Sequence, residues 1–473
     1  MSNKLRNALI MLGMVILLLV GAGWYFLSGN TAELSIDEVS GPTPVIEAPE
    51  PETFPTINVA EVESWTADQK PDVAKGLVVK RFAEGLDHPR TMLVLANGDV
   101  LVTETNSPPR ANKGIEGFIM RMLMNRAGAG GASANRITLL RDLDGDGEAD
   151  ERKVLLDGLN SPYGLALVGD MLYVANTDAL MAYPFKPGDD KITGKGVKLT
   201  DLSASKPNNH WSRNIIASPD GTKIYIAVGS ASNIAEKGLD VEKERANILE
   251  YDLEKKRKRV FAAGLRNPIG MAWEPSTGEL WTVVNERDML GSDLVPDYLA
   301  RVDFGTHFGW PWNYWGGYED FRVQPRNEEI RQYTRRPDYA LGSHVAPIGM
   351  TFASGAKLGD GFASGAFIAL HGSWNRKPAS GYKVVFVPFD GNGRPAVTRD
   401  KDGKVTGGLP VDVLTGFLSE DGTARGRPAH VEIDGKGALL VTDDVSGIIW
   451  RVSNPVAAGQ AVPEAETAAA PSN

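Results

Sequence analysis

The stretch "NNHWSRNIIASPDGTKIYIAVGS", residues 208–230, contains an apolar strand, a turn and a second apolar strand. A β-hairpin needs apolar alternation and a turn such as Pro219-Asp220-Gly221. It does not need the imidazole of His210 or the guanidinium of Arg213 at its entrance. These two side chains therefore indicate that the start of the strand also contributes to a site.

Similar entrances and hairpins recur along the chain. They read "GLDHPRTMLVLANGDVLVTET" from 85, "GLNSPYGLALVGDMLYVANTD" from 158, "NHWSRNIIASPDGTKIYIAVGS" from 209, "GLRNPIGMAWEPSTGELWTVVNE" from 264, "SHVAPIGMTFASG" with "GAFIALHGSW" from 343, and "GRPAHVEIDGKGALLVTDD" from 426. One such hairpin cannot bury both faces alone, whereas radial stacking of several units can. Six copies predict an all-β, six-bladed β-propeller over residues 78–453. A β-sandwich with accidental internal likeness is the alternative.

The composition agrees with a globular β-domain and excludes several classes of function. Hydrophobic residues make up 42% and charged residues 23% of the chain, with 52 glycines and 29 prolines, which favours many short strands and turns. A net charge of −10 argues against a nucleic-acid partner, which would require a basic surface. The chain has no cysteine, so it has no disulfide, thiolate zinc site, cysteine nucleophile or c-type haem attachment.

The two ends of the chain differ from the repeats. Residues 8–27, "ALIMLGMVILLLVGAGWYFL", carry no charge and follow Lys4 and Arg6, which predicts a transmembrane anchor with residues 1–7 cytoplasmic and the rest in the periplasm. A cleaved signal peptide is the alternative. The Pro- and Glu-rich residues 28–77 predict a disordered linker, and residues 454–473 a disordered tail.

Propeller geometry predicts where the entrance residues meet. The first strand of each blade lines the central channel and the second returns beside it, so strand starts and second-strand ends share one face. The residues at strand starts are Arg90, Tyr163, His210, Arg213, Arg266, Asn267, His344 and Arg427, and those at second-strand ends are Glu104, Asp178, Asn233, Glu286 to Asp288, Arg376 and Asp443. Convergent arginines predict an anionic ligand, because guanidinium groups bind carboxylates and keep their charge. Some of them are expected to pair with these acidic residues instead.

The motifs "NHWSRN", "GLRNPIGMAW", "NERDMLGSDLVPDYLARV", "HFGWPWNYWG", "HVAPIGMTF", "HGSWNR" and "GRPAHV" with "ALLVTDD" together resemble the soluble-type pyrroloquinoline quinone (PQQ) sugar dehydrogenases. The likeness is closest to the sorbosone and aldose sugar dehydrogenase branch and covers nearly all of residues 78–453. It implies a PQQ- and calcium-dependent oxidoreductase acting on an aldose or sugar aldehyde. A separate electron acceptor is then required, because the chain has no haem motif.

The resemblance also assigns roles to individual residues. It implies that His210 is the general base, which suits an imidazole at ordinary pH. The PQQ-binding residues it implies are Arg266, Asn267, His344, Arg376 and Arg427. Ala429 stands where a second C-terminal arginine is expected, His344 replaces a threonine-like contact and Arg376 replaces a lysine.

Two calcium sites are expected. The resemblance implies one at the backbone carbonyls of Arg287 and Asp288, although the family has small residues at this turn. The second is predicted from "RDLDGDGEAD", whose residues Asp142, Asp144, Asp146 and Asp150 occupy ligand positions of an EF-type loop. Position 12 is Lys153 rather than glutamate, and a solvated acidic turn is the alternative. The glycine-rich segment "RMLMNRAGAGGASANR", residues 121–136, is expected to be mobile.

Two other functions remain open at this stage. Six-bladed propellers include calcium-dependent lactonases and esterases, which hold an axial ion with acidic and amide side chains, whereas this ring is rich in arginine. A cofactor-free binding module would use the same arginines and histidines for recognition. The aromatic run "HFGWPWNYWGGYED", residues 307–320, suits either sugar contact or blade packing.

Overall fold

A computed structural model describes residues 5–7, 10–14, 29–109 and 114–455 of the chain. Six of the eight β-sheets in these described residues form six blades. Blade one contains Pro89–Val94, Val100–Glu104, Arg136–Arg141 and Glu151–Leu156; blade two Leu165–Val168, Met171–Ala175, Ala179–Pro184 and Val197–Asp201; blade three Arg213–Ala217, Lys223–Val228, Asn247–Asp252 and Arg257–Ala263. Blade four contains Asn267–Trp273, Leu280–Asn285, Pro296–Val302 and Tyr339–Ser343; blade five Pro347–Phe352, Gly365–Leu370, Lys383–Pro388 and Val411–Thr415; blade six Pro428–Ile433, Leu439–Asp443, Ile448–Ser453 and Val78–Ala83.

The ring closes through blade six, which combines both ends of the domain. Val78–Ala83 pairs antiparallel with Ile448–Ser453 as the outer strand. The first strands of neighbouring blades contact one another around the axis, including that of blade six with that of blade one. The six-bladed propeller predicted from the repeats is confirmed.

The repeated Pro-x-Gly entrances explain how the inner strands pack so closely. The pairing of the first two strands is irregular just after Pro268 in blade four and Pro347 in blade five. At Gly349 an added Cβ would lie 2.6 Å from the Cα of His430, and at Gly164 it would lie 2.3 Å from the backbone nitrogen of Ile215. Only glycine allows these backbones to approach to this distance.

Hydrophobic clusters fill the spaces between blades, as alternating strand residues require. One lies between blades five and six and includes Phe386, Val441 and Trp450, all fully buried. A smaller axial cluster contains Tyr163, Ile269, Ile348 and Ala429, each from the entrance of a different blade. This axial cluster brings the entrances of four blades into contact at the axis.

Residues 29–77, which the composition predicts to be a disordered linker, lie on the propeller instead. Ser40–Gly41 adds a fifth strand to blade four, and Asp72–Val73 adds one to blade five. Trp65 is 7% exposed and packs edge-on against Phe417 and Trp450. The segment is rich in proline, yet Val39, Ala60, Trp65 and Leu77 find buried positions, which composition alone does not reveal.

The predicted transmembrane anchor and the periplasmic, membrane-anchored location that follows from it are not supported. Among the residues that the structure describes, no helix is both long and apolar enough to span a membrane. Within residues 8–27, only 10–14 are described, as helix; residues 8–9 and 15–27 lie outside the described residues. The predicted tail lies outside them from residue 456 onward.

The remaining elements are insertions between strands. The helix Gly114–Arg126 lies between the second and third strands of blade one, so part of the segment expected to be mobile is helical. Small hairpins are formed by Asn313–Tyr314 with Tyr318–Glu319 and by Thr398–Arg399 with Val405–Gly407. Three short 3-10 helices span Leu239–Glu242, Glu329–Tyr333 and Asp360–Phe362.

Candidate active site at the propeller axis

A pocket of about 460 Å³ lies at the entrance face of the propeller. We call it the axial pocket. Its walls come from blades three to six and include His210, Arg266, Asn267, Asp288, His344, His371, Asn375 and Arg427. The helix Gly114–Arg126 contributes Leu123 and Met124, and the N-terminal segment contributes Pro55 and Val59. A larger cleft of about 730 Å³ lies around Tyr318 and Arg331, but it contains none of the predicted site residues.

His210 lies just before the first strand of blade three, and its ring is held in one orientation. Nδ1 lies 2.8 Å from the carbonyl oxygen of Ser230 and 2.9 Å from the hydroxyl of the same residue. A carbonyl oxygen only accepts hydrogen bonds, so Nδ1 carries the proton and Nε2 carries the lone pair. A base with this tautomer can accept a proton at Nε2.

Two buried arginines fix the backbone that carries His210. Arg213 Nη1 and Arg245 Nη2 donate to the His210 carbonyl at 2.8 and 2.7 Å. Arg213 also donates to the carbonyls of Ser203 and Ser212. Burial lowers the pKa of Arg245 to about 10, and burial together with the neighbouring Arg245 lowers that of Arg213. Arg213 therefore positions the base and does not reach the pocket as an anion ligand.

Arg266 lines the pocket, but its donors are bonded within the protein. Nη2 donates to a carboxylate oxygen of Asp288 at 2.7 Å and to the side-chain oxygen of Asn233 at 2.9 Å. Nε donates to the Asn233 carbonyl and Nη1 to that of Glu286. Asp288 also accepts from Asn375 at 2.9 Å. Arg266 therefore contributes positive charge to one wall, and part of that charge is neutralised by Asp288.

Asn267, the first residue of the first strand of blade four, has a side-chain amide that is not hydrogen-bonded to the described residues. Its Oδ1 is buried and has no hydrogen-bond partner among the described residues. A Cβ on Gly229 would lie 2.2 Å from this oxygen and 2.6 Å from the Cβ of His210. Gly229 thus lets Asn267 and His210 approach each other. A buried polar atom left unpaired is costly, which favours a ligand at this position.

His344 and Asp297 form the wall beside blade five. His344 has φ 58° and lies with Nε2 3.1 Å from the carbonyl of Gly291, to which it donates. Burial lowers the pKa of His344 despite the nearby charge of Asp288. Asp297 accepts the backbone N–H groups of Glu286 and Ala346 at 2.7 and 2.8 Å. Burial, opposed by these hydrogen bonds, raises the pKa of Asp297 to about 8.

Arg427 and His371 form the wall between blades five and six. Arg427 donates from Nε to the His371 carbonyl at 2.9 Å and from Nη2 to the Gly372 carbonyl at 2.6 Å. Its Nη1 has no hydrogen-bond partner among the described residues. The His371 Nε2 lies 3.0 Å from Asp444, which in turn pairs with Arg90 Nη1 at 2.9 Å. Arg90 therefore forms an ion pair with Asp444 and does not line the pocket.

Arg376, expected to bind the cofactor, points away from the axial pocket. Its guanidinium donates to the carbonyls of Ser292, Pro378 and Leu34 and lies 3.5 Å from Asp293. Leu34 belongs to the N-terminal segment, so Arg376 joins that segment to blades four and five. Arg376 lies in the loop after the second strand of blade five, and the sequence could not reveal that residues 29–77 fold back and recruit it.

Of the two carbonyls expected to bind calcium, that of Asp288 is poorly suited to it. The carbonyl of Asp288 already accepts hydrogen bonds from Asn233 at 3.1 Å and Arg322 at 3.0 Å. The Arg287 side chain is fully buried and pairs with Glu286 at 3.0 Å and Asp320 at 3.4 Å. A carbonyl with two donors has no lone pair left for an ion, so no catalytic step is assigned to calcium here.

The acidic loop predicted to bind calcium comes together in part. Carboxylate oxygens of Asp142, Asp144 and Asp146 lie within 4.8 Å of one another. Asp150 is absent from this group and instead accepts the backbone N–H of Leu143 at 2.6 Å. Lys436 Nζ lies 2.8 Å from Asp142 and neutralises one of the carboxylates. The hydrogen bonds within the loop and this lysine hold the turn.

The aromatic run serves blade packing more than ligand contact. Trp310, Tyr314 and Trp315 are buried, and the Trp315 Nε1 donates to the carbonyl of Pro296. Trp312 is half-buried and donates to the carbonyl of Pro325. None of these four lines the axial pocket.

Sequence reasoning missed four residues that shape the site: His371, Asp444, Asp297 and Arg245. His371 follows the second strand of blade five in "HGSW", so its position at a strand end was a usable signal. Asp444 similarly follows Asp443 at the end of its strand. Asp297 and Arg245 lie further out in their blades, where no repeat pattern marks them.

Comparisons with known proteins agree with this fold. The sequence model of the TrAA12-like family matches residues 71–298 and 318–455. A PQQ-dependent pyranose dehydrogenase of Coprinopsis cinerea is 25% identical over 446 residues, which cover 81% of this chain and 55% of the relative. The chain thus matches about half the length of that curated relative.

Two solved structures share the fold. The PQQ domain of the Coprinopsis cinerea pyranose dehydrogenase, in its holo form, has a TM-score of 0.63 and 21% identity, covering 84% of this chain and all of that chain. A family AA12 carbohydrate-active enzyme of Trichoderma reesei has a TM-score of 0.65 and 18% identity, covering 87% and 100%. The family model matches most of the folded domain and the resemblance seen in the sequence motifs is confirmed: the chain belongs to the TrAA12-like family, whose curated relatives include PQQ-dependent sugar dehydrogenases.

Proposed function

We propose that this chain is a PQQ-dependent dehydrogenase that oxidises an aldose or a related sugar aldehyde such as sorbosone, with His210 as the general base. The observation that carries the proposal is the pairing of a fixed base, His210, with an uncommitted amide, Asn267, across Gly229 in the axial pocket. The relatives with this activity, such as the Coprinopsis cinerea enzyme, support the choice of cofactor.

The donor set of the pocket fits PQQ, which is planar and carries three carboxylates. Arg427 offers Nη1, Arg266 offers positive charge, and Asn267 lines the pocket with an amide whose oxygen has no partner among the described residues. Guanidinium and amide N–H groups are suitable partners for carboxylate and carbonyl oxygens. Of the predicted cofactor ligands, Arg266, Asn267, His344 and Arg427 remain part of this proposal.

When bound, PQQ supplies a two-electron acceptor for a hydride. His210 accepts the proton of the sugar hydroxyl at Nε2, while Ser230 holds the proton on Nδ1. Arg213 and Arg245 keep the His210 backbone in place. Leu123, Met124, Pro55 and Val59 cover the pocket with apolar surface, which limits water near the reacting atoms. The electrons then pass to a separate acceptor.

The test compares wild type with His210→Ala in the presence of PQQ and a redox dye. We expect turnover to fall by about 100-fold or more, because a general base contributes a factor of this order, while the dissociation constant for PQQ changes little. Calcium is added or removed by chelation in parallel. Unchanged turnover in His210→Ala would contradict the assigned base.

A calcium-dependent lactonase is the second candidate. The observation that favours it is the cluster of Asp288, Glu286 and Asn233 at one wall of the axial pocket. Their side-chain oxygens accept hydrogen bonds from Arg266, Arg287, Asn375 and backbone N–H groups, which disfavours an axial ion. Lactone hydrolysis in the absence of PQQ would support that candidate.

A further inference from the structure

We propose that His371, oriented by Asp444 and Arg90, presents a hydrogen-bond acceptor to the axial pocket and binds an O–H or N–H group of the bound ligand. This inference rests on the proposed function for the identity of that ligand, which is either the sugar or PQQ. It gives a specific role to a histidine that lies apart from the base His210.

The backbone on both sides of the His371 ring is fixed. Its N–H donates to the carbonyl of Ala346 at 2.9 Å, and its carbonyl accepts from Arg427 Nε at 2.9 Å. Ala346 and Arg427 themselves line the pocket. The imidazole therefore extends from a rigid part of the wall between blades five and six.

The carboxylate of Asp444 decides which ring nitrogen carries the proton. His371 Nε2 lies 3.0 and 3.1 Å from the two oxygens of Asp444, whose side chain is fully buried. Burial opposes the charge of Asp444, but Arg90 and His371 outweigh this effect and hold its pKa well below the ordinary value. An ionised carboxylate only accepts hydrogen bonds, so Nε2 carries the proton.

The other nitrogen, Nδ1, then has a lone pair. In the described part of the chain the ring forms its hydrogen bonds through Nε2, and the side chain is 13% exposed and lines the pocket. Burial lowers the pKa of His371 to about 4 despite Asp444, so the ring is neutral at pH 7. A neutral ring in this tautomer accepts at Nδ1 and cannot donate there.

This polarity limits what His371 can bind. A carboxylate offers only acceptors and would oppose the lone pair on Nδ1, whereas a sugar hydroxyl or the pyrrole N–H of PQQ offers a donor. The adjacent Arg427 Nη1 has the opposite polarity and suits a carboxylate. The two residues together fix the orientation of the ligand at this wall.

The first experiment measures the tautomer directly, without cofactor or substrate. Nitrogen-15 NMR of the histidine-labelled full chain, with His371→Phe used for assignment, should show Nε2 protonated in wild type. In Asp444→Asn, Arg90 keeps the amide oxygen as its acceptor, so the amide N–H₂ faces His371 and the proton moves to Nδ1. A proton on Nδ1 in wild type, or an unchanged tautomer in Asp444→Asn, would overturn the proposal.

The second experiment identifies the donor group. His371→Phe retains an aromatic ring and removes the acceptor, and His371→Gln supplies an amide oxygen in its place. A PQQ dissociation constant raised about 10-fold, the expected cost of one hydrogen bond, indicates the cofactor N–H. A KM for the sugar raised by the same factor, with unchanged PQQ affinity, indicates a hydroxyl. In either case His371→Gln should restore part of the loss.

Monodeoxy sugars then identify which hydroxyl binds His371. For the analogue that lacks this hydroxyl, wild type and His371→Phe should have the same KM. His307→Phe, which removes an imidazole outside the pocket, serves as the control and should change neither constant. If His371→Phe also changes neither, the inference is wrong. A wild-type protein that binds no PQQ would contradict the proposed function, while the NMR experiment judges His371 separately.

Discussion

The residues of the axial pocket differ mainly in whether the protein already uses their hydrogen bonds. Arg266 and Arg213 are committed to internal partners, whereas Asn267 has an amide with no partner among the described residues. The sequence could place these residues at strand entrances because the repeat defines those positions. The sequence could not show which of these side chains already form hydrogen bonds within the protein, because those bonds are made with Asp288 and with carbonyl groups of distant loops.

At this scale we predict that Asn267→Ala weakens PQQ binding by about 10-fold without lowering the free energy of unfolding. The change removes a buried oxygen that has no internal hydrogen bond, so folding loses little. Absorbance titration and denaturant unfolding measure the two quantities. Asn313 provides a matched control, because its Oδ1 is also buried and unpaired but lies on an outer hairpin; Asn313→Ala should leave the PQQ dissociation constant unchanged. A weakened titration in both variants would contradict this assignment.

The elements that differ most from the sequence-based expectation are those outside the repeats. The N-terminal segment 29–77 adds strands to blades four and five and inserts Trp65 between blades five and six. Its contacts depend on partners far along the chain, such as Asp443 for the Trp65 indole. Proline-rich composition correctly indicates that the segment lacks long strands, but it says nothing about such distant partners.

For this segment we predict that Arg376→Ala lowers the free energy of unfolding by about 1–3 kcal/mol, because buried carbonyls are left without donors. PQQ affinity should stay the same, since the guanidinium points away from the pocket. Arg427→Ala should behave in the opposite way, with a clear loss of PQQ affinity. Thermal or urea unfolding and a PQQ titration separate the two. Loss of affinity in Arg376→Ala would restore the role that the family resemblance implied.

A second prediction at this scale concerns pH. Burial raises the pKa of Asp443 to about 7, against hydrogen bonds from Arg427 and Trp65. The folded carboxyl holds its proton more tightly than the unfolded one, so its contribution to stability is complete below the unfolded pKa, about 4, and is lost as pH rises through about 7.

Asp443→Asn should therefore be less stable than wild type at low pH, because each oxygen of the Asp443 carboxyl accepts an N–H group and the amide nitrogen of asparagine cannot accept one. It should also show a smaller decrease in stability between about pH 4 and 7. Trp65 fluorescence during urea unfolding reports the transition. Equal slopes in the two proteins would show that Asp443 does not titrate in this range.

At the scale of the whole molecule, the repeated hairpins determine the ring of blades. The pairing between the two ends of the domain keeps this ring closed. The entrances at Gly164 and Gly349 show why the inner strands can meet, and both glycines belong to a Pro-x-Gly sequence. The closing strand Val78–Ala83 begins at the first residue of the predicted domain. Its pairing with Ile448–Ser453 joins the two ends of the chain.

We predict that a chain beginning at residue 74 still unfolds cooperatively, with reduced stability, whereas one beginning at residue 84 does not. The second deletion removes the outer strand of blade six and leaves an open edge on Ile448–Ser453. Urea unfolding followed by circular dichroism and fluorescence measures the difference. Cooperative unfolding of the shorter chain would show that closure by this strand is dispensable.

The central claim is that the axial pocket holds PQQ beside His210, and a crystal structure of the chain grown with PQQ tests it most directly. We expect the cofactor between His210 and Arg427, with Asn267 bonded to it. PQQ bound only at another surface, such as the cleft around Tyr318 and Arg331, would contradict the account.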